Sequence, residues 1–418
     1  MFHEFFGLPE RLAKLGAGLK ETFAALKNRD FRVYSIGQLV SVIGSWMQSI
    51  ALSWLVYSLT GSALMLGIVS FAGTLPVLLL SVFAGGVADR WDRKKIIIIT
   101  QWLEMAQAFA LTVLAYTGML NVPLLIILAL SLGVFLAFEM PARSAYVPAL
   151  VKSDELVNAI GLNSALYNSC RLFGPALAGV VIAVWGVSAC FLLNAVSYVA
   201  AIVTLQTIKS GGRTAATTSA DQKEMGLAKL FGVLAASGVM NVLFLTSVIS
   251  LFGFQFNNVL MPVIVGEVLH GQATQLAWLS SGVGVGALVG SLVLARYGNN
   301  KHLPRVVGFA TLGLAASLLL LGWSSSLSIS LAAVAVAGFC LSIQFGGSSF
   351  MVQTSISEEM RGRVMGLYSA CNVGIVPFGS LLAGWMASSF GVSVALVVAA
   401  AACALAAVAY LRRTERSK

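Results

Sequence analysis

Four ionisable side chains fall inside long apolar stretches of this sequence: Glu104, Glu139, Arg143 and Arg171. Charge within hydrocarbon is costly, so each is first a candidate for function. Glu139 and Arg143 stand one helical turn apart and share a stripe with Ser131, Phe135 and Tyr146. Burial disfavours an ionised carboxylate, and a nearby guanidinium favours it. That opposition suits a group that loads and releases a proton; the alternative is a fixed Glu139–Arg143 pair holding a helix end. Glu104 is a second acid for the proton role, or a carboxyl that snorkels toward a membrane surface. Arg171 either holds an anionic group of a substrate or bonds backbone carbonyls beside the bend at Pro175.

Neutral polar residues in the same stretches are Gln38, Ser45, Gln48, Gln255, Asn257, Asn258, Gln344, Ser348 and Asn372. Taken singly, each reads as glue between helices. Together with Trp54, Tyr57, Phe135, Phe138 and Phe254, which can stack on planar ligands, they suggest a large cavity of mixed polar and aromatic character. His3, His270 and His302 lie in a tail or in loops, and the five cysteines are scattered without C-x-x-C spacing. No metal, cofactor or disulfide is expected. The sequence has no P-loop and no H-E-x-x-H, so neither an enzyme nor, for this chain alone, an ATP-driven pump is expected.

The elements that must position these groups are membrane helices. The chain is 58% hydrophobic and 10% charged, where a soluble domain carries about 25% charged residues. Apolar runs of membrane-spanning length recur, without the alternation of a barrel strand. They predict twelve spans: 31–58, 63–88, 95–117, 121–146, 156–183, 187–208, 239–266, 273–295, 304–322, 326–352, 362–387 and 390–411. The formal net charge of +10 is placed at one set of alternating helix ends, as in Arg11–Arg32, Arg90–Lys95, Lys209–Lys229, Arg296–Arg305, Arg361–Arg363 and Arg412–Lys418. That distribution puts both termini and the central loop in the cytoplasm and argues against nucleic acid as a partner.

Residues 1–30 read as a cytoplasmic segment whose leucines and lysines have the spacing of an interfacial amphipathic helix. An N-terminal six-helix bundle follows at 31–208, a flexible polar linker at 209–238, a C-terminal six-helix bundle at 239–411 and a tail at 412–418. The bundles are repeats. A shift of 205 residues aligns Gly133 with Gly338, Gly161–Leu162 with Gly366–Leu367, Gly174 with Gly379 and Gly186–Val187–Ser188 with Gly391–Val392–Ser393, without a gap. The expected fold is therefore an all-α membrane protein of two pseudo-symmetric halves, with a substrate site between them.

Two motifs extend this reading. GGVADRWDRKK holds Gly85, Gly86, Asp89, Arg90, Arg93 and Lys94 in the loop after the second span. It resembles the G-x-x-x-D-R-x-G-R-K loop of the major facilitator superfamily, with Asp92 where the family usually has glycine. Glycines let helices approach, and Asp89 can accept charge-assisted hydrogen bonds across the halves, a latch for one conformation. The pseudo-symmetric GSLVLARYGNNK lacks the aspartate. GLNSALYNSCRLFGPALAG in the fifth span resembles the antiporter motif of facilitator exporters. Gly161, Gly174, Pro175 and Gly179 match it, and Cys170 and Ala178 replace two glycines. With FLAFEMPARSAYVPALV, the whole is similar to the exporter branch that includes bacterial enterobactin and macrolide efflux carriers. The resemblance implies a monomeric carrier in the bacterial inner membrane that exports a small amphipathic molecule in exchange for protons, with lipids around it. It implies a cavity lined by helices 1, 4, 7 and 10, and a third helix, with Glu104, on the lipid-facing periphery. A nutrient importer shares all the evidence for the fold.

Overall fold

The computed structural model describes residues 24–152, 155–209, 238–297, 302–356 and 358–416. Most of the expected N-terminal amphipathic helix and of the linker 209–238 lies outside the described residues. The first half holds α1 (Arg29–Thr60), α2 (Ala63–Arg90), α3 (Arg93–Tyr116), α4 (Val122–Ala149), α5 (Leu156–Trp185) and α6 (Val187–Thr207). Local chemistry sets the starts. Asn28, Ser62, Asp92 and Asn121 each cap a helix by accepting backbone N–H bonds from its first turn. Asn28 also donates to Leu150 O at 2.8 Å, which ties the start of α1 to the end of α4.

The second half holds α7, which begins at Val239–Val248, then α8 (Ala273–Tyr297), α9 (Leu303–Trp323), α10 (Leu327–Thr354), α11 and α12 (Val392–Arg416). Among the described residues eleven helices are long and apolar enough to span a membrane, and the twelfth, α7, is broken. Its chain runs on through π-helical turns at Ile249–Gly253, Phe256–Leu260 and Ile264–Val268. The sequence reading expects one regular span here. Pro262 supplies part of the reason, because it donates no N–H and its ring displaces the carbonyl a turn earlier. α11 is likewise interrupted: Glu358–Ser369 and Val376–Phe390 are joined by a π turn at Ala370–Gly374.

The repeat read from the sequence is visible in the packing. α2 lies on α4 as α8 lies on α10, and α3 lies on α6 as α9 lies on α12. Gly133 presses against the Gly73 carbonyl, and its repeat mate Gly338 presses against the Val283 carbonyl; a Cβ at either would collide with backbone. Single glycines with positive φ, Gly186 and Gly391, join α5 to α6 and α11 to α12. The halves meet along α2–α11 and α5–α8, two contacts that the repeat exchanges.

The described lysines and arginines lie at one set of helix ends, called here the basic end, apart from Arg171 within α5 and Arg143 within α4. The turns at the plain end, around residues 61–62, 117–121, 186, 324–326 and 391, carry no lysine or arginine. A compact cluster including Phe31, Tyr34, Ile97, Ala142, Tyr146 and Leu205 seals the first half at its basic end.

Candidate functional site: a central cavity and a buried carboxyl cluster

A cavity of about 350 Å³ lies between the halves. From α1 it is lined by Trp46, Ser49 and Ser53, from α2 by Ser70 and Thr74, and from α4 by Leu132 and Leu136. Arg171 and Pro175 of α5, Phe254 and Asn257 of α7, and Ser280 of α8 complete it. The helix-5 motif explains how Arg171 arrives there. Gly174 lets α5 press directly on Trp46 of α1, and Gly284 lets α8 approach Leu172 and the Arg171 carbonyl. That carbonyl is the one that Pro175 cannot bond as a helical donor. The Arg171 guanidinium lies over the Trp46 ring, 5.9 Å from its centroid.

The plain end of the cavity is closed. Gly67 and Gly384 pack backbone to backbone where α2 crosses α11. Gly179 meets Ala277 where α5 crosses α8, and Tyr57 of α1 lies directly on Gly266 of α7. Ser70 donates to Ser380 (3.0 Å), and Ser380 to Gln255 (2.9 Å), linking α2, α11 and α7. Toward the basic end the glycines tell the opposite: Gly85, Gly86, Gly161 and Gly366 have no heavy atom within 4 Å of a hypothetical Cβ. Asp89 and Arg90 are exposed. Arg93 donates to Ala145 O (3.2 Å) and Lys94 to Ile208 O (2.7 Å). These bonds of the expected latch hold the loop to α4 and α6 of its own half.

A second group of residues is buried inside the first half. Glu139 (1% exposed) is ion-paired to Arg143 and accepts from Gln101 Nε2 at 2.9 Å. Arg143 also donates to the Tyr167 hydroxyl. Glu104 corrects the sequence reading: it is 2% exposed, not lipid-facing, and packs inside the first half beside Glu139 and Tyr198. Tyr198 in turn lies 3.3 Å from Ser45 Oγ. Arg143 and Tyr167 form part of the wall of a second cavity, about 380 Å³, between α4 and α5. One readable signal pointed to Glu104: Thr100, Gln101, Glu104 and Gln107 fall on a single face of α3, and a polar stripe in a membrane helix faces protein.

Of the other residues singled out from sequence, Asn257 and Phe254 line the central cavity. Gln48 does not; it donates to Gln107 (3.1 Å) and accepts from Asn194 (2.8 Å) inside the first half. Gln38 is buried with both amide atoms unbonded among the described residues. Phe138 packs edge-on against Phe83, Trp54 lies tilted against Tyr57, and Phe135 is half-buried on α4 without lining the cavity. Gln255 bonds Ser250 O at 2.8 Å and Gln344 bonds Thr246 and Ser348, each bracing α7. Asn372 is half-buried in the π turn of α11. The side chain of Asn258 lies outside the described residues. The expectation of a cavity lined by helices 1, 4, 7 and 10 is also corrected. α2, α5 and α8 line it and α10 does not, because α10 packs behind α8, where Gly286 and Gly290 meet its backbone.

Two six-helix halves, meeting along α2–α11 and α5–α8 around a central cavity, make this a transporter of the major facilitator fold. The solved structure of a bacterial homologue of the iron transporter ferroportin, in an inward-facing state, superposes with TM-score 0.71 at 17% identity, over 92% of this chain and 98% of that one. A peptide transporter of the POT family superposes at 0.74, with 12% identity over 93% and 95%. A family model described as "Transmembrane secretion effector" matches residues 20–417, and the chain belongs to that family of the superfamily. Similar curated proteins include the staphyloferrin A transporter of Staphylococcus aureus, 27% identical over 84% of this chain and 87% of that protein. The macrolide efflux protein A of Streptococcus pyogenes is 27% identical over 88% and 92%. The multidrug efflux pump Tap of Mycolicibacterium fortuitum is 26% identical over 84% and 88%.

Proposed function

We propose that this chain exports a small amphipathic molecule across a bacterial inner membrane, taking it up from the cytoplasm at the basic end and driven by protons bound in the first half. The observation that carries the reading is the central cavity, closed at the plain end by glycine contacts between halves, while the glycines at the basic end, Gly85, Gly86, Gly161 and Gly366, have nothing packed against them among the described residues. Positive charge marks the cytoplasmic side of membrane proteins, so this is a cytoplasm-facing state of a monomeric carrier with both termini inside. Rocking of the halves about α2–α11 and α5–α8 then exposes the cavity alternately. The efflux roles of the similar proteins support the direction. In this reading the loop with Asp89 is unlatched and closes against the second half when the basic end shuts.

Two acids buried side by side support proton coupling, because neighbouring carboxyls disfavour joint ionisation, and a proton can leave as Arg143 moves toward them and load as it swings away. Reconstituted vesicles test this. Glu139→Gln should abolish substrate accumulation driven by a pH difference and retain exchange of substrate down its own gradient. Glu104→Gln, which removes the partner, should slow coupled transport at least tenfold. Undiminished pH-driven accumulation in the double variant would remove coupling from this site. Accumulation on the cytoplasmic side in oriented vesicles would make the chain an importer.

A further inference from the structure

We infer that the central cavity selects anionic amphiphiles, with a carboxylate or other oxyanion on Arg171 and the apolar part of the molecule against Trp46 and Phe254. The inference rests on the transport reading above and adds the charge of what is carried. Arg171 makes no hydrogen bond or ion pair with a described residue, and its Nη2 is fully buried. Among the described residues it is the one charged side chain lining the cavity, and no described acid lines it. Glu139 is committed to Gln101 and Arg143, and neither it nor Glu104 lines the cavity.

An uncompensated guanidinium in a low-dielectric space is retained only where something supplies the opposite charge. Here that must enter with the cargo. The surroundings fit an oxyanion. Ser49 offers a hydroxyl donor on the same walls, and a guanidinium presents a planar fork that matches a carboxylate with two bonds. The Trp46 ring, fixed under the guanidinium by the close α1–α5 crossing at Gly174, holds the fork's orientation and offers a face for an aromatic part. The alternative for Arg171, bonding the carbonyls freed by Pro175, leaves its buried Nη2 without the partner that reading requires. A cationic ligand would meet the guanidinium with no acid to offset it.

Three probes of one shape separate these cases: 2-naphthoate, 2-naphthamide and 2-naphthylmethylammonium, titrated calorimetrically against the purified full chain in neutral detergent. Naphthoate should bind at least tenfold tighter than the amide, and the ammonium should not compete. Arg171→Gln should bring naphthoate and amide within twofold of each other. Arg171→Lys should keep a reduced preference, because it retains charge without the fork. Trp46→Leu should weaken both several-fold and leave their ratio. Equal binding of acid and amide by the wild-type protein, or an undiminished preference in Arg171→Gln, overturns the assignment, and the first needs no variant to fold. Repeating the titration in nanodiscs of phosphatidylcholine with and without phosphatidylglycerol distinguishes the source of the anion. Unchanged naphthoate affinity supports a soluble cargo, and its loss on adding the anionic lipid overturns it in favour of a headgroup. If pH-driven export of a neutral or cationic dye persists while the acid shows no preference, the transport reading stands and the anion reading falls.

Discussion

At the scale of residues, the charged side chains found within spans among the described residues, Glu104, Glu139, Arg143 and Arg171, all belong to the first half. The Glu139–Arg143 pair was legible because one helical turn separates the two in sequence. Its neighbour Glu104 was harder to place, since a membrane helix is apolar on the protein side and the lipid side alike. Hydropathy does not say which face turns inward; only the polar stripe of α3 does. The cluster also predicts stability. Removing Arg143 leaves Glu139 buried without its counter-charge, and breaking such a pair from one side costs on the order of 3 kcal/mol. Arg143→Ala should therefore lower the thermal midpoint of the detergent-solubilised protein, and Arg143→Ala combined with Glu139→Gln should recover most of the loss. An additive loss in the double variant would mean that the two residues stabilise the fold independently.

At the scale of elements, the apolar runs placed the eleven long spans of the described residues and the region of the broken α7, because length and hydropathy are what the bilayer selects. They did not foretell the π turns of α7 and α11. A π turn inserts one residue into a helix without changing its composition, so only Pro262 and Pro377 hinted at irregularity. The cavity-lining face was equally hidden: which helices flank it depends on glycine contacts between helices distant in sequence. Those contacts give a prediction. Tyr57 of α1 rests on Gly266 of α7, with no room for a Cβ. Gly266→Val should disfavour closure of the plain end and shift the population toward the opposite state. Cysteine-reactive reagents applied from the plain side should then label Ser53→Cys in the cavity several-fold faster than in the Gly266 parent. Adding Tyr57→Ala should reverse the gain, and equal labelling in all three would show that this contact is not part of the gate.

At the scale of the whole molecule, the internal repeat was the most informative single feature of the sequence. It implied two halves, and the structure adds that they touch through two contacts exchanged by the pseudo-symmetry. A cargo must pass where those contacts lie, so locking one of them should stop the cycle without emptying the site. Gly179 and Ala277 face each other closely enough for a cross-link between α5 and α8. In a background without the five native cysteines, Gly179→Cys with Ala277→Cys should oxidise readily. The product should bind ligand from the basic end, fail to transport it, and regain transport on reduction. Full transport by the oxidised protein would mean that the halves do not part along α5 and α8.

The lone guanidinium in the cavity also makes the carrier an electrical device. When the empty cavity turns from the plain side back to the basic side, Arg171 carries its positive charge with it; when an anion is aboard, the loaded site is neutral. A full membrane crossing by one elementary charge is worth about 2.3 kcal/mol per 100 mV, and a charge near the middle feels a fraction of that. A potential negative on the cytoplasmic side should thus speed the empty return and leave the loaded step untouched. In vesicles clamped with potassium and valinomycin, net export should rise with that potential while one-for-one exchange of substrate stays flat. Arg171→Gln should erase the difference between the two modes.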